Sequence, residues 1–289
     1  MKKRLLTILL FSISIYSFSQ DDLLDVLDTE TPKNGKENIV TSTFKGTRIL
    51  NGHSIENRKE KELEFVISHR FGRVNLGFDE LFGLDQSNIR FALEYGLNDN
   101  LTIGFGRSSF DKTYDSFLKY SWLKQKKGNQ SFPFAVSLFG SVALKTIKDY
   151  DPANKRTFAE SLTYVGQVLI ARKVSQSFSY QITPTYIHRN TVKIEADPHD
   201  IFALGFGSRI KLSKRVSFNS EYYYAFDESK SINARNSLAF GVDIETGGHV
   251  FQLILSNAIT MLEKSFIAET TDNFFGGDIH LGFNISRTF

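Results

Sequence analysis

The chain has 289 residues, with 35 Lys or Arg, 32 Asp or Glu and no Cys. Three of the cations lie in the first four residues, so the remainder carries 32 residues of each sign and a formal charge of zero. This balance gives no basis for nucleic-acid binding. The absence of Cys excludes a disulfide framework, and no apolar run of 18 residues follows residue 19, which excludes a transmembrane helix.

Residues 1–19 have the pattern of a secretory signal peptide. The basic residues Lys2, Lys3 and Arg4 precede a mostly apolar stretch, and Ser17 and Ser19 are small residues where a signal peptidase needs them. We therefore expect export of the chain and cleavage before residue 20.

The next segment, residues 20–61, has no strong hydrophobic period and is predicted to be an N-terminal periplasmic segment or a plug. It begins with the acidic run DDLLDVLDTE, which suits one or two helical turns. Residues 41–57 combine Lys45, Arg48 and His53 with apolar residues around two glycines. This pattern is compatible with a linker, a strand or a piece of chain packed inside a barrel.

From residue 62 onward, apolar and polar residues alternate, as expected for strands with one apolar and one polar face. Pro184 lies inside the seventh strand, where loss of a backbone donor predicts a bulge or a shorter strand. The pattern predicts twelve strands, at residues 62–71, 89–97, 101–110, 114–123, 134–144, 158–170, 178–187, 201–212, 216–226, 238–245, 250–256 and 278–289.

The predicted connections alternate between long and short almost throughout, as in outer-membrane barrels with short periplasmic turns and longer external loops. The predicted turn at residues 124–133 is an exception, because it is long for the periplasmic end. The predicted external loops are residues 72–88, 111–113, 145–157, 188–200, 227–236 and 257–277. A soluble sandwich, the alternative, has no reason to sort its loops in this way. We therefore predict an all-β fold at residues 62–289, a transmembrane antiparallel up-and-down β-barrel of about 12 strands.

The last strand ends on an aromatic residue, and its edge must pair with another strand to avoid aggregation. Phe283, Ile285 and Phe289 resemble the closing-strand pattern that the barrel-assembly machinery recognises in bacterial outer-membrane barrels. We expect these three residues to form the assembly signal.

The strand faces opposite the apolar ones carry charges of both signs. They can select solutes in a water-filled pore, or they can close the interior through ion pairs. The predicted lumen charge cluster consists of Glu64, Arg70, Arg90, Glu94, Lys119, Arg209, Glu221, Asp243 and Glu245.

Two GFG triplets on the predicted lumen face contain the glycines Gly104, Gly106, Gly205 and Gly207. Glycines inside strands mark a bend or the close approach of another backbone. We therefore predict that part of residues 41–57, or the loop at residues 72–88, folds inward as a plug. Lys45, Arg48 and His53 are the expected plug contacts, together with the four glycines.

Enzymatic chemistry has weak support in the sequence. The six His residues show no ligand spacing, so neither a metal nor another cofactor is predicted. A barrel hydrolase acting on lipid or lipopolysaccharide needs a His beside a nucleophile and an orienting amide or carboxylate. His188 with Asn190, and His53-Ser54 with Asn57, are the candidate groupings, and loop polarity explains both more simply.

Four stretches within residues 41–120 resemble a family of Bacteroidota outer-membrane β-barrel proteins catalogued as a domain of unknown function. They read TSTFKGTRILNGHSIEN, ELEFVISHRFG, ELFGLDQSNIRFALEYGLNDNLTIGFGRSSF and DKTYDSFLKY. A looser likeness continues to the last residue. The resemblance implies a barrel in the outer membrane of a Gram-negative bacterium and adds no catalytic residue.

A passive pore or small-solute channel is the first functional hypothesis. A closed barrel with a structural or interaction role through its external loops is the second, and a lipid- or lipopolysaccharide-acting hydrolase is the third. The expected partners are outer-membrane lipid, lipopolysaccharide and the barrel-assembly machinery. The sequence leaves the solute and the oligomeric state open.

Overall fold

The structure is a computed structural model that describes residues 38–128, 131–148, 155–227 and 229–289. The predicted signal peptide, its cleavage site and the acidic run that follows lie outside the described residues.

Within the described ranges, twelve of fourteen strands close into one barrel, and the two-residue strands β1 and β6 are not part of it. In chain order the strands are β1 (Asn38–Ile39), β2 (Leu63–Arg73), β3 (Ser87–Asn98), β4 (Leu101–Ser108), β5 (Tyr114–Leu123), β6 (Lys126–Lys127), β7 (Ala135–Leu144), β8 (Leu162–Lys173), β9 (Phe178–Arg189), β10 (Asp200–Lys211), β11 (Val216–Ala225), β12 (Ser237–Thr246), β13 (His249–Ser256) and β14 (His280–Thr288).

Each barrel strand pairs antiparallel with its neighbours in the chain, and β14 pairs with β2 to close the ring. The closing register places Ile285 opposite Ile67, and the backbone N–H of Phe289 donates to the carbonyl of Leu63 at 2.8 Å. Closure leaves no barrel edge open to aggregation. The predicted twelve-stranded up-and-down barrel is therefore confirmed.

Alternation along each strand separates the two surfaces of the barrel. On β3, Phe91 is 45% exposed while the neighbouring Arg90 is 1% exposed. The same period of two runs through the other barrel strands, because successive side chains point to opposite faces. The outer surface is therefore apolar and the interior is polar, as a membrane barrel requires.

The strand that contains Pro184 is neither bulged nor shortened, so that prediction was wrong. Pro184 pairs with Leu204 of β10 in an unbroken register. On the other side, the ladder to β8 keeps one register from the Gln167–Thr185 pair to the Ile170–Ile182 pair. Because a residue's N–H points to only one neighbouring strand, the missing donor affects only one of the two ladders.

The two ends of the barrel differ in the length of their connections. At the short-turn end, Gly247 and Gly248 join β12 to β13 with positive φ angles of 39° and 104°, as a tight hairpin requires. At the long-loop end, β13 and β14 are joined by residues 257–279, which contain the helix α1 (Glu263–Ala268). The described short 3-10 helices also lie in connections at the long-loop end, at Val74–Leu76, Phe78–Gly83, Phe110–Lys112, Ala159–Ser161, Lys230–Ile232 and Phe274–Gly276.

Among the residues that the structure describes, no helix has the length and apolar character needed to cross a membrane.

Candidate functional site

Residues 43–55, here called the N-terminal plug, lie inside the barrel. All of them except Lys45 are buried, and their polar contacts reach strands around the whole wall. The plug is a hairpin-like turn, because Ile49 N–H donates to the Gly52 carbonyl at 2.9 Å and Ser54 N–H donates to the Thr47 carbonyl at 2.9 Å. Its tip is therefore residues 49–52.

Both arms of the plug begin at the short-turn end of the barrel. Lys45 forms an ion pair with Glu245 near the end of β12. On the other arm, Asn57 donates from Nδ2 at 2.8 Å to the carbonyl of Asn100, in the turn between β3 and β4. The hairpin therefore enters and leaves the lumen at the same end.

Glu221 of β11 holds the tip of the plug through backbone hydrogen bonds. Its carboxylate accepts from the N–H groups of Leu50 at 3.3 Å, Asn51 at 3.2 Å and Gly52 at 3.0 Å. Consecutive N–H groups that converge on one point form an anion-binding concavity. A lumen carboxylate thus recognises the conformation of the plug backbone.

Cationic side chains of the lumen wall bind carbonyl oxygens of the plug and of Ser42, the residue just before it. Lys119 of β5 donates from Nζ to the carbonyl of Ser54 at 3.3 Å. Arg209 of β10 donates from Nη1 to the carbonyls of Ser42 at 3.1 Å and Thr43 at 3.2 Å. The two signs of lumen charge therefore bind the two kinds of backbone group, with cations on C=O and an anion on N–H.

Side-chain amides complete the contacts at the tip. Asn51 Oδ1 accepts from Arg70 Nη2 at 2.7 Å, and the same guanidinium donates from Nη1 to Asn284 Oδ1 at 3.1 Å. Asn284 in turn donates from Nδ2 to the carbonyl of Leu50 at 2.8 Å. β2 and β14, the strands that close the barrel, are thus joined through the plug.

Two lumen glycines make room for the apolar tip. A Cβ atom at Gly207 would overlap Ile49 Cδ1, and a Cβ atom at Gly241 would overlap Leu50 Cδ2. The other predicted contact glycines lie against the wall itself. Gly205 faces the ring of Tyr223, Gly104 the ring of Phe117, and Gly106 the pair of Arg90 with Asp115.

Six of the nine predicted lumen charges contact the plug or the residues beside it, namely Glu64, Arg70, Lys119, Arg209, Glu221 and Glu245. The other three do not. Arg90 donates from Nε to Asp115 Oδ1 at 3.0 Å, and Asp243 accepts from Gln252 at 2.9 Å. Neither oxygen of buried Glu94 has a hydrogen-bond partner among the described residues.

The other segment considered as a plug, the loop between β2 and β3, carries an exposed apolar cluster. Phe78 is 78% exposed, and Leu81, Phe82 and Leu84 are also exposed. This loop therefore does not fill the lumen.

The loop between β13 and β14 does fill the long-loop end of the lumen, which the sequence interpretation missed. All six residues of α1 are buried, and Phe266 packs edge-to-face on the lumen-facing ring of Tyr223 with centroids 5.1 Å apart. The missed signal was the group of apolar residues in this loop, among them Leu262 and Phe266, which are four residues apart. The lumen thus holds an insertion from each end.

The two insertions meet at Arg48 and Glu263. Arg48 donates from Nη1 to Glu263 Oε1 at 3.0 Å and to the carbonyl of Asn51 at 2.7 Å. Both charged side chains are buried, so the pair is held out of water. This contact ties the tip of the N-terminal plug to the loop between β13 and β14.

His53 lies beside this contact in an apolar slot. Its ring is 4.5 Å from the ring of Phe117 and 4.4 Å from that of Phe139, centroid to centroid. Burial holds the pKa of His53 well below its usual value, and the positive charges of Arg48 and Lys119 add to this effect. The imidazole is therefore neutral at pH 7, and its 3.8 Å approach to Glu263 is no ion pair at that pH.

Above α1, the long loops enclose a cavity of about 710 Å³, here called the outer vestibule. Asp111, Lys145, Arg189, Ser231 and Thr270 line it, each from a different connection or adjoining strand end. The β13–β14 loop lines part of the vestibule and also carries the helix that contacts the plug. The vestibule and the plug are therefore connected by one segment of chain.

The residues of the two candidate catalytic groupings do not contact one another as a catalytic site requires. His188 Nδ1 lies 2.6 Å from Asp200 Oδ1, which also accepts from the hydroxyl of Tyr186 at 2.6 Å. Asn190, in contrast, donates to the carbonyl of Ala159 at 2.7 Å. The carboxylate that His188 contacts is thus shared with a tyrosine on the outer wall, and the predicted amide is not part of the group.

The second grouping is also occupied by structural contacts. Ser54 donates to the carbonyl of Gly46 at 2.6 Å, and Asn57 binds the carbonyl of Asn100. His53 is enclosed by aromatic rings. Ser54, His53 and Asn57 therefore do not form a catalytic group.

The predicted assembly signal lies on the outer surface of the closing strand. Phe283 and Ile285 are partly exposed on the lipid side of β14, and Phe289 is exposed with the guanidinium of Arg287 4.7 Å from its ring centroid. Recognition by the assembly machinery stays a prediction.

These observations define a class of protein: a membrane β-barrel with a plugged polar interior. Residues 44–289 match the family model described as "Membrane bound beta barrel domain (DUF5777)", and the chain belongs to that family. The predicted membership of a membrane-barrel family of unknown function is thereby confirmed, and a Bacteroidota origin stays a prediction. No curated protein matches the chain.

Several solved outer-membrane proteins are similar to the chain at low identity. The KdgM porin has a TM-score of 0.45 at 7% identity over 79% of this chain and 99% of that one. An outer membrane channel from Pseudomonas putida F1 has a TM-score of 0.47 at 12% identity over 80% and 96%. The Acinetobacter baumannii outer membrane protein Omp33 has a TM-score of 0.43 at 6% identity over 80% and 99%. These likenesses are distant, and the assignment rests on the family model.

Proposed function

We propose that the protein is a gated outer-membrane channel for small polar solutes, with the N-terminal plug as its gate. One observation carries the proposal: charged side chains of the lumen wall bind the backbone of a hairpin that enters and leaves at one end. Glu221 accepts from the tip, while Lys119 and Arg209 donate to the arms. Such a hairpin can withdraw without threading the chain through the barrel.

The wall behind the plug is suited to an aqueous pathway. A barrel with only a structural role can be filled by apolar or small side chains. Here the wall positions include Arg70, Lys119, Arg209 and Glu221, which water can solvate once the plug leaves. Both signs of charge are present, so an opened lumen would stay hydrated.

The plug is held by interactions that can be exchanged for water. A hydrogen bond contributes about 0.5–1.5 kcal/mol net, or about 1.5–3 kcal/mol when one partner is charged. Within the described residues, the plug has neither a helix nor a named strand. A protein partner in the periplasm, or a solute at the outer vestibule, can therefore shift the balance between inserted and withdrawn forms.

A permanently open pore has less support, because the lumen is occupied from both ends. A closed barrel that acts through its external loops is the second candidate, supported by the exposed apolar cluster at Phe78 and Leu81. A hydrolase has no support from the geometry of His188 or His53.

We infer the location from the same features. The apolar outer wall, the family match and the asymmetry of the loops support the outer membrane of a Gram-negative bacterium, with the short-turn end in the periplasm. Export requires the proposed signal peptide.

The test is a disulfide that locks the gate. A Cβ atom at residue 207 would lie 3.5 Å from Ile49 Cγ2 and 3.6 Å from Ile49 Cγ1. The sulfur of a cysteine at residue 49 can occupy one of these Cγ positions, within reach of a second sulfur at residue 207. The chain has no native Cys, so Ile49→Cys with Gly207→Cys gives one defined crosslink.

Conductance is recorded in planar bilayers for the oxidised and reduced double variant, both single variants and a form lacking residues 20–57. We expect frequent steps from the truncated form, rare steps from the reduced double variant and none after oxidation. Silence of the truncated form would contradict a channel gated by the N-terminal plug alone and favour the closed barrel. Equal conductance of the oxidised and reduced forms would contradict the gate.

A further inference from the structure

The outer vestibule is a cavity large enough for a small ligand, and gating by the N-terminal plug does not require such a cavity. Its volume of about 710 Å³ falls within the range of about 300–1,000 Å³ typical of small-molecule sites. Its lining is rich in hydroxyl and charged groups, with Phe110 as its aromatic residue. The site therefore suits a polar solute.

The acidic groups of the lining are already engaged by neighbours. Asp111 pairs with Lys145 at 2.7 Å, and Asp197 accepts from the backbone N–H of Ser231 at 2.9 Å and from its hydroxyl. Glu269 pairs with Lys264 at 3.3 Å and Asp272 with His280 at 2.8 Å, and neither partner lines the cavity. These four carboxylates therefore have partners within the protein, and the fifth acid of the lining, Glu160, accepts from the N–H and the hydroxyl of Thr157.

Some cations of the lining form no ion pair with a described residue. The carboxylates of Asp197 and Glu269 nevertheless attract the guanidinium of Arg189 from a longer distance. Arg189, at the end of β9, is 8% exposed and lines the cavity, and its guanidinium donates from Nη2 to the carbonyl of Pro198. Its Nε has no hydrogen-bond partner in the described chain. Lys148 and Lys193 line the cavity and are exposed, without an ion pair to any described residue.

A second buried group in the lining also lacks a partner. Ser229 is 1% exposed, and its hydroxyl makes no hydrogen bond within the described ranges. Buried polar groups without partners are rare in native proteins and need an explanation. Both Arg189 Nε and Ser229 Oγ can donate, so small side-chain shifts would present donors to an acceptor-rich ligand.

We propose that the outer vestibule binds an anionic solute that carries carboxylate groups, with Arg189 as the anchoring cation and Lys148 and Lys193 attracting it at the rim. A guanidinium can bind a carboxylate through two parallel N–H donors, whereas the ammonium group of a lysine acts as a point charge. Arg189 is therefore the better anchor for a carboxylate. The proposal rests on the channel function and gives the chemical class of its solute.

The experiment measures equilibrium binding of two probes to the full-length protein in detergent micelles by isothermal titration calorimetry. The probes are the capped peptides tetraglutamate and tetraglutamine, which match in size and differ in charge. We expect tetraglutamate to bind at least about tenfold more tightly, with an affinity that falls as salt rises. Arg189→Gln is expected to remove most of this preference.

A matched control keeps the outcome specific to the vestibule. Lys214→Gln removes an exposed cation from the short-turn end and is expected to leave tetraglutamate binding unchanged. Heat-dependent electrophoretic mobility checks that each variant is still a folded barrel. Equal binding of the two peptides, no binding of either, or an unchanged preference in a folded Arg189→Gln barrel would overturn the proposal.

Binding does not require the gate to open, so the two proposals fail separately. A truncated barrel without conductance that still prefers tetraglutamate would reject the channel and keep the anion site. A conducting truncated barrel without the preference would reject the anion site and keep the channel.

Discussion

Arg48 in the N-terminal plug and Glu263 in α1 form a buried ion pair, with Arg48 Nη1 3.0 Å from Glu263 Oε1. The pair joins a segment that enters from the short-turn end to a loop that enters from the opposite end. Because that loop also lines the outer vestibule, a solute bound there would act on the plug through this pair and through the neighbouring approach of His53 to Glu263.

Removal of one partner of this pair is expected to destabilise the inserted plug. Arg48→Gln or Glu263→Gln leaves the other charge buried and unpaired, which costs about 3–5 kcal/mol in comparable sites. We expect each variant to conduct more often than wild type in planar bilayers. The rise in opening frequency of the double variant, expressed as a free energy, should be smaller than the sum for the two single variants, because both changes remove the same interaction. Strict additivity would contradict a direct coupling.

Glu221 is expected to be the main anchor of the plug tip. Glu221→Gln removes the charge that binds three consecutive N–H groups, and we expect a loss of about 1–3 kcal/mol in plug insertion. Trypsin cleavage after Lys45 and Arg48 reports withdrawal of the plug, and it should accelerate in this variant. Glu245→Gln is the matched control, since its half-exposed ion pair with Lys45 contributes about 0–1 kcal/mol. Equal cleavage rates in the two variants would argue against Glu221 as the anchor.

Gly207 is expected to be required for insertion because its missing side chain gives Ile49 its place. Gly207→Val should weaken insertion by about 1–3 kcal/mol, the usual cost of overpacking. Gly140→Val is the control, since a Cβ at that position meets no atom within 4 Å. Trypsin sensitivity should rise for the first variant only, and adding Ile49→Ala should reverse it. A failure of that reversal would mean that the barrel itself was damaged.

The barrel was predictable from sequence because the two faces of each strand meet different surroundings. Apolar and polar residues therefore alternate along the strand with a period of two. The fourth barrel strand was predicted at residues 114–123 and observed as Tyr114–Leu123. The sixth barrel strand was predicted at residues 158–170 but begins at Leu162, because Ala159–Ser161 forms a 3-10 turn. Boundaries next to loops thus depend on local turns that carry no hydrophobic period.

The partners of the lumen charges were not predictable in the same way. Sequence alternation places Glu221 and Arg209 on the inner face, and the expectation was that such charges select solutes or pair with each other. Their observed partners are the backbone groups of residues 42–52. A backbone N–H or carbonyl is common to almost every residue, so no side-chain pattern identifies it as a ligand.

The last prediction concerns the response of the plug to acid. The pKa of His53 is lowered by burial, then by the charges of Arg48, Lys119 and Arg90, while Glu263 faces it at 3.8 Å. A depressed pKa in the inserted form means that protonation favours withdrawal. The stabilisation is therefore complete above the ordinary pKa of about 6.5 and declines as the pH falls toward the lower value of the inserted form. Trypsin cleavage of the plug, measured relative to cleavage of an unstructured peptide because trypsin itself is less active in acid, is expected to accelerate across that interval.

His53→Phe isolates the contribution of the imidazole. Neither ring nitrogen has a hydrogen-bond partner among the described residues, and Phe117 and Phe139 already pack against the ring, so phenylalanine is expected to fit. The variant should keep the inserted plug at pH 7 and lose part of the acid sensitivity below about pH 6.5. Native-state cleavage rates at pH 7, 6 and 5 provide the comparison. An unchanged pH profile in His53→Phe would show that other groups, and not His53, release the plug in acid.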